Sequence, residues 1–467
     1  MSGPVLPPNV HEWQRLSPRM LLVHPVHEVL NQLPLLIGAI VLGSATQNPV
    51  WSLLGVGFIV MLGLARWFTT SYRIDEQDIV LRTGLLQRSE LSVPRNRIRS
   101  VQTEARLLHR LMGLTVLRVS TGQEAKGDNA FELDAVRSDQ VTGLRADLLG
   151  EQREDAPAGE QLASWEPAWL RYSPLSWSGL LTIGAAIGIA YQAGLGDVLR
   201  DWVLVFGGPW LVVGAVSAGV VLAVGRSLLT YGNLVLTRRA DTLNLVHGLL
   251  KIREHTYDLR RLRGGTLREP LLVRALGGAR LDAVMTGVAG VGESSLLLPA
   301  CPAGTAQRVL TELVGDAGVV HGPLVTHGPI AARRRWVRAL AVPVVAAAVL
   351  PFLAVPVWVW GLWAALVVGC GWLAIDRVRA LGHRVDGRWL VTRAGSVERR
   401  RDCVQTAGII GWTVRQTWFQ RRAGVATLVA ATAAGTKRYV LIDVPAGIAW
   451  TVAATASPWV ADSQWCA

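Results

Sequence analysis

Lysine is nearly absent from this chain. Lys126, Lys251 and Lys437 are the only lysines among 47 cationic residues, and the rest are arginine. With so much alanine, glycine and valine, that bias reads as GC-rich coding, so arginine abundance alone does not argue for a polyanion ligand. Cysteine is scarce too. Cys301, Cys370, Cys403 and Cys466 form no CxxC, which excludes a disulfide framework and the usual zinc spacings. Cys370 lies inside an apolar run and reads as a buried thiol. The first 20 residues lack the apolar core of a signal peptide, so any membrane insertion must use internal segments. No GxxxxGK[ST] loop is present; Gly264-Gly265 and Gly277-Gly278 read as turn glycines. His24 and His27 are the one close histidine pair, and without a third ligand nearby they read as interfacial residues, not a metal site. No Ser/His/Asp set or carboxylate pair stands out. The expectation is a protein that is not an enzyme and uses no cofactor.

What the chain does have is apolar surface and positive charge. Half of its residues (51%) are hydrophobic, its formal charge is +13, and its mean hydropathy is +0.33. That combination points to a membrane protein with cationic cytoplasmic parts. The apolar runs come in pairs: 33–47 with 50–65, 175–195 with 203–225, and 339–354 with 356–375. A span needs about 20 helical residues. The second pair meets this comfortably, while the first and third are short and would tilt, thin the bilayer or dip in as hairpins. None of the six runs contains Asp, Glu, His, Lys or Arg, which argues against an ion or proton pathway. Trp51, Trp177, Trp202, Trp336 and Trp372 lie near run ends, as interfacial anchors do. Apart from Arg200, in the turn 196–202, no cation lies in the apolar runs or in the turns that join them. The positive-inside rule then places both termini and the polar blocks in the cytoplasm.

The polar blocks repeat. Residues 84–113, "GLLQRSELSVPRNRIRSVQTEARLLHRLMG", align without a gap to 248–277, "GLLKIREHTYDLRRLRGGTLREPLLVRALG". Glu90 matches Glu254, Arg97 and Arg99 match Arg261 and Arg263, and Arg110 matches Arg274. A weaker third copy runs from Gly395 to Gly424, with Arg421 at the Arg110 position and Trp418-Phe419 in place of the leucine pair. "RLSP" (15–18) and "RYSP" (171–174) each precede a hairpin. The fold class expected is an α+β membrane protein: three repeats of a transmembrane helical hairpin followed by a β-barrel or sandwich capped by a C-terminal helix. The expected organisation is an N-terminal segment 1–31, hairpins 32–66, 173–226 and 336–376, and polar domains 67–150, 227–316 and 377–460, the last degenerate. Linkers fall at 151–172 and 317–335. Within a domain, period-two alternation predicts strands at 70–75, 78–84, 85–93, 97–104, 114–122 and 129–136. A short helix ends at Gly113, and a final helix starts at Ser138.

These motifs resemble the bacterial pleckstrin-homology (PH) domain membrane proteins of the YdbT-like type. The resemblance is carried by Tyr72, Gly84-Leu85, Pro94 with Arg97-Ile98 and Val101, and Leu107-Leu108 with Leu111 and Gly113. The second copy keeps Tyr231, Gly248-Leu249 and the helix, but has Asp258 for the proline and Leu262 for the isoleucine. The resemblance implies a curved, partly open barrel, a role in cell-envelope maintenance or stress resistance, and a shorter single-PH-domain membrane protein as a candidate partner.

Arg95, Arg97 and Arg99 alternate along the approach to one strand and share a face, with Ile98 pointing inward; Arg261 and Arg263 repeat this around Leu262. With Arg110 and Arg274 they form the candidate lipid- or partner-binding set. Near anionic headgroups each cation is worth about 1 kcal/mol. The competing reading is a solvated positive face that merely satisfies the positive-inside rule. Nucleic acid is not expected as a partner, since no aromatic residues interleave with the basic strand. Two functions stay open: a multi-pass cell-membrane scaffold whose cytoplasmic domains bind lipid headgroups or a protein, and a carrier that moves or extrudes a hydrophobic molecule. Oligomeric state is left open. The orientation has a direct test. In a cysteine-free background on intact cells, an impermeant thiol reagent should label Asp197→Cys and not Gln123→Cys; labelling at Gln123→Cys would reverse the topology.

Overall fold

The computed structural model describes residues 13–15, 71–75, 77–83, 89–94, 100–105, 107–120, 131–137, 139–141, 159–190, 208–286, 295–353 and 355–461, with isolated positions 57, 61, 69 and 143. The first hairpin (32–66), the candidate arginines Arg95, Arg97 and Arg99, Ile98 and the His24/His27 pair lie outside the described residues. In chain order the strands begin β1 (Gln14–Arg15), β2 (Ser71–Ile74), β3 (Asp78–Thr83), β4 (Ser89–Pro94) and β5 (Ser100–Ala105). Helix α1 (Leu107–Leu111), β6 (Leu114–Ser120), β7 (Phe131–Arg137) and β8 (Glu160–Ser164) follow, then helices α2 (Trp177–Ala190) and α3 (Gly208–Tyr231). Next come β9 (Val235–Arg239), β10 (Thr242–His247), β11 (Ile252–Asp258), β12 (Leu262–Pro270), α4 (Leu271–Ala275), β13 (Gly278–Met285), β14 (Leu296–Pro302), α5 (Ala303–Val314) and α6 (Ala317–His321). The chain ends with α7 (Gly328–Val349), α8 (Val357–Ala380), β15 (Gly382–Val385), β16 (Trp389–Ala394), β17 (Glu398–Gln405), β18 (Ile409–Arg415), α9 (Trp418–Arg422), β19 (Val425–Thr432), β20 (Arg438–Pro445), α10 (Ala449–Ala456) and α11 (Pro458–Ala461).

Several segments carry more structure than their composition suggests. The stretch 151–172, read as a linker, contains β8, which pairs with β9, and a short 3-10 helix over Pro167–Tyr172. The stretch 317–335 contains α6, whose first turn is capped by Asp316 (Gly318 N–H to Oδ1, 2.7 Å), and the start of α7. Strand β1 was not foreseen in the N-terminal segment; it pairs with β2, and the guanidiniums of Arg82 and Arg73 lie over the Trp13 ring at 3.9 and 5.2 Å. Among the described residues the third apolar pair supplies two helices long and apolar enough to cross a membrane, Gly328–Leu353 and Val357–Ala380, while 191–207 of the second pair lie outside the described residues. The apolar runs looked short because they stop at charge. The helices continue through Arg333–Arg338 at one end and Asp376–Ala380 at the other, where polar turns need no apolar surroundings. Pro343 sits inside α7, and its carbonyl accepts the Trp363 indole N–H from α8 (3.0 Å).

The glycine spacing that defines the repeat has a backbone cause. Each of the short helices α1, α4 and α9 ends on a left-handed glycine: Gly113 (φ 68°), Gly277 (φ 72°) and Gly424 (φ 67°). That conformation is open to glycine without the Cβ penalty.

By internal contacts the chain forms two units, Met1–Ser164 with Leu229–Arg260, and Trp165–Leu228 with Arg261–Ala467. The division falls inside 227–316, because strands of successive repeats share sheets. In the first unit, β2–β4 and β6–β7 enclose one core containing Tyr72, Ile79, Val93, Leu114, Leu117 and Leu133. Its β5, however, pairs antiparallel with β11 of the next repeat, making a seven-stranded sheet in the order β7-β6-β5-β11-β10-β9-β8. In the second unit, β12 pairs in the same way with β17, in a six-stranded sheet β14-β13-β12-β17-β16-β15. There β16, β17, β18–β20 and α10 enclose a core of Leu390, Val404, Leu428, Leu441 and Val452. The two joins have the same register. Ile252 faces Ala105 in the first, and the equivalent residues Arg399 and Glu269 face each other in the second. Side chains bridge both: Thr103 to Glu254 (3.3 Å) and Lys251 to Glu104 (2.6 Å), then Thr266 to Asp402 (2.8 Å) and Arg263 to Gln405 (3.2 Å). A fragment cut at residue 150 would therefore strip β5 of its partner.

A buried histidine pair fixes the entry to α7. His327, just before the helix, lies 2.7 Å from the Ile442 carbonyl through Nδ1 and 2.9 Å through Nε2 from Nδ1 of His383 on β15. A carbonyl only accepts, so His327 Nδ1 carries a proton, its Nε2 accepts, and His383 Nδ1 donates. Two protonated rings could not make this contact, and burial keeps both neutral. Burial, and then the neighbouring His327, pushes His383 down to about 4; His327 is also lowered, chiefly by burial. An unfolded histidine protonates near 6.5. The unfolded chain thus binds the proton first, and stability is lost as pH falls from about 6.5 to about 4. Between those values the melting temperature of His383→Gln should fall less steeply than that of the parent. Parallel curves would show that the ring is not held neutral.

Candidate functional site

Two buried or part-buried acids organise the polar end of the α7/α8 pair. The first is Asp443 on β20, fully buried and in the left-handed region (φ 58°), which aspartate tolerates better than most residues. Three arginines of α7's first turns converge on it: Arg334 (3.1 Å), Arg335 (3.2 Å) and Arg338 (3.9 Å). Gln420 Nε2 adds a hydrogen bond at 2.9 Å. One carboxylate thus faces three guanidiniums, and the group keeps a net positive charge.

Gln420 also explains the shape of α9. It forms a capping box with Thr417, whose backbone N–H donates to Gln420 Oε1 (3.0 Å). With Gln420 locked inward, the preceding Trp418 and Phe419 face outward, 61% and 69% exposed. The Arg422 guanidinium lies 4.7 Å above the Trp418 ring, and Arg421 is exposed. Arg334 Nη1 donates to the Phe419 carbonyl (3.0 Å), which ties this aromatic tip to the first turns of α7.

The second acid is Asp376, in the last turns of α8. Arg274 of α4 donates to it at 2.8 Å and Arg399 of β17 at 2.6 Å. That pins α4 to α8 as α9 is pinned to α7, and α4 too presents apolar residues outward, Leu272 and Leu276. A Cβ on Gly371 of α8 would lie 3.8 Å from the Trp336 ring of α7, so the polar ends of the two helices lie together. The arrangement is an apolar surface of two short helices, rimmed by arginine, at one end of an exposed apolar helix pair.

The predicted arginines divide. Arg274 is committed to Asp376. Arg263 bridges the β12–β17 join by a side-chain hydrogen bond to Gln405, and Arg261 lies in a 3-10 turn, since the strand starts one residue later at Leu262; the shared strand face expected for the two is therefore not formed. Leu262 is buried, as expected. Arg110 is exposed and donates to the Leu249 carbonyl (3.2 Å). Arg95, Arg97 and Arg99 lie outside the described residues. Sequence reasoning passed over Asp376, Asp443 and Arg334. A lone acid just past an apolar run was the available signal for Asp376; nothing local marks Asp443. Among the described residues no group of three or more His, Cys, Asp or Glu could hold a metal ion.

Residues 28–152 and 337–451 match the bacterial PH domain, and together they make up just over half of the chain. The chain belongs to that family. The third repeat, which keeps fewest motif residues, is one of the two matched regions. No curated protein and no solved structure matches the chain.

Neutralising Asp376 should leave Arg274 and Arg399 facing each other. A charge-assisted hydrogen bond contributes about 1.5–3 kcal/mol, so Asp376→Asn should clearly lower the thermal midpoint of the full chain in detergent. Asp376→Asn combined with Arg274→Met should cost less than the two single changes added. Strict additivity would show that the pair is not coupled.

Proposed function

We propose that the chain is an integral membrane scaffold of the YdbT-like type, with three hairpin-plus-PH modules whose cytoplasmic domains rest on the membrane and contact anionic lipid headgroups. The observation that carries this reading is the tethering of the apolar tips of α4 and α9 to the polar ends of α7 and α8. Almost none of either long helix is buried, and Val342, Val345, Phe352, Val357, Trp358 and Val368 are all widely exposed. A bare apolar pair of this length suits a bilayer. If it spans, Trp336 and Trp372 stand at the interface, and Trp418, Phe419, Leu272 and Leu276 stand at headgroup depth. Arg421, Arg422 and Arg338 then face phosphates, each worth about 1 kcal/mol near an anionic surface. The first repeat contributes Arg110, with Leu111 exposed beside it, and Arg95, Arg97 and Arg99 as further candidates. No enzymatic step enters this reading.

The full chain in lipid nanodiscs with a photoreactive phenylalanine at Phe419 should form phospholipid adducts. Adducts should favour anionic over neutral lipid, and Arg421→Gln with Arg422→Gln should reduce that preference several-fold. Capture of no lipid at Phe419 would remove the basis of the proposal.

A further inference from the structure

Among the described residues, two of the sheet edges are of complementary type. Among the described residues β4 is hydrogen-bonded to β3 alone, and β18 to β19 alone. β4 is the equivalent of β11 and β17, the strands that each join the preceding repeat. Its rungs to its own hairpin partner match theirs: Asp78 faces Pro94, Thr242 faces Asp258, and Trp389 faces Gln405. β18 is the equivalent of β5 and β12, the strands that each receive the following repeat. Thr103 faces Leu117, Leu267 faces Leu281, and Val414 faces Leu428. β12 and β18 even share an irregularity at the same place, between Leu262 and Gly264 and between Ile409 and Gly411.

We propose that copies of this chain join head to tail, β18 of one copy pairing antiparallel with β4 of the next, in the register already used twice within the chain. Carried over, that register sets Ser89 opposite Arg415 and Val93 opposite Gly411. Gly411 supports the match. In the second join its equivalent, Gly264, has to be glycine, because a Cβ there would lie 1.9 Å from the Cys403 carbonyl of the incoming strand. Gly411 lacks the positive φ of Gly264 (134°), and a Cβ there would meet only the Ala431 side chain, at 3.9 Å, so nothing among the described residues crowds this edge. The first join has Ser100 at this position. Pro94 is no obstacle. Proline guards many sheet edges because it lacks an N–H, but the rungs of both internal joins stop at Tyr257 and Val404, one residue short of its equivalents. An edge left bare presents unpaired N–H and C=O groups that a strand of matching register satisfies. The inference is independent of the lipid reading.

The test uses the full chain in membranes, with Cys370 and Cys466 changed to alanine. Cys301 and Cys403 can remain, since both are buried and burial pushes their thiols up to about 12. One tagged copy carries Ser89→Cys and a differently tagged copy carries Arg415→Cys, both at exposed positions. Mild oxidation should give a disulfide-linked dimer bearing both tags. Ser92→Cys with Arg415→Cys, three residues out of register, should give at least several-fold less. No mixed dimer, equal yields from the two pairs, or an adduct of the Ser89→Cys copy with a different protein would each overturn the proposal. As a second measurement, light scattering of the unsubstituted chain in detergent should give multiples of the monomer mass; monomer alone at every concentration would also overturn it.

Discussion

Backbone hydrogen bonding at strand edges is the constraint on which the rest of this molecule depends. A PH-like module built from two small sheets leaves an edge of peptide groups on each, and a buried peptide group without a partner is costly. At two joins this chain satisfies such edges with itself. β5 takes β11 and β12 takes β17, so successive repeats are fused by continuous sheet and not strung on linkers. The residues that line the joins follow from this. Thr256, Thr266 and Leu267 are buried because a neighbouring repeat covers them, and cross-strand pairs such as Lys251–Glu104 set charge of opposite sign across the seam. The compact units cut through a repeat for the same reason.

A second constraint is electrostatic and sits where the helix pair meets the third repeat. Burying a carboxylate is tolerable only when charge and hydrogen bonds surround it. Asp443 has both: three arginines from one helix and a glutamine from another. The acid thereby fixes the angle at which α7 leaves the domain, and the same glutamine turns Trp418 and Phe419 outward. Asp376 does the equivalent work for α8 and α4. Arginine suits these places because its planar fork reaches a carboxylate and a carbonyl together, as Arg334 does with Asp443 and Phe419. The scarcity of lysine, read at first as coding bias, coincides with a structural need.

Much of the fold was legible in the residues. Period-two alternation placed β2, β3, β6 and β7, and the glycines at 113, 277 and 424 marked helix ends because only left-handed backbone closes those turns. Leu262 was read as interior from the alternation around it and is buried. Less of the site was legible. The repeated arginines drew attention by pattern, yet Arg274 and Arg263 proved to be partners within the fold, while Trp418 and Phe419 looked like a degenerate leucine pair.

The repeat, the strand and helix types and the apolar runs are set by local pattern, because periodicity and turn chemistry act over a few residues. Which strands pair across repeats, which arginines are consumed by acids, and how far the third pair of helices extends past its apolar runs are settled by long-range contacts formed on folding. Those outcomes depend on groups far apart in the chain, such as Arg334 and Asp443 or Arg274 and Asp376. Their pairing energy exists only once folding has removed them from water.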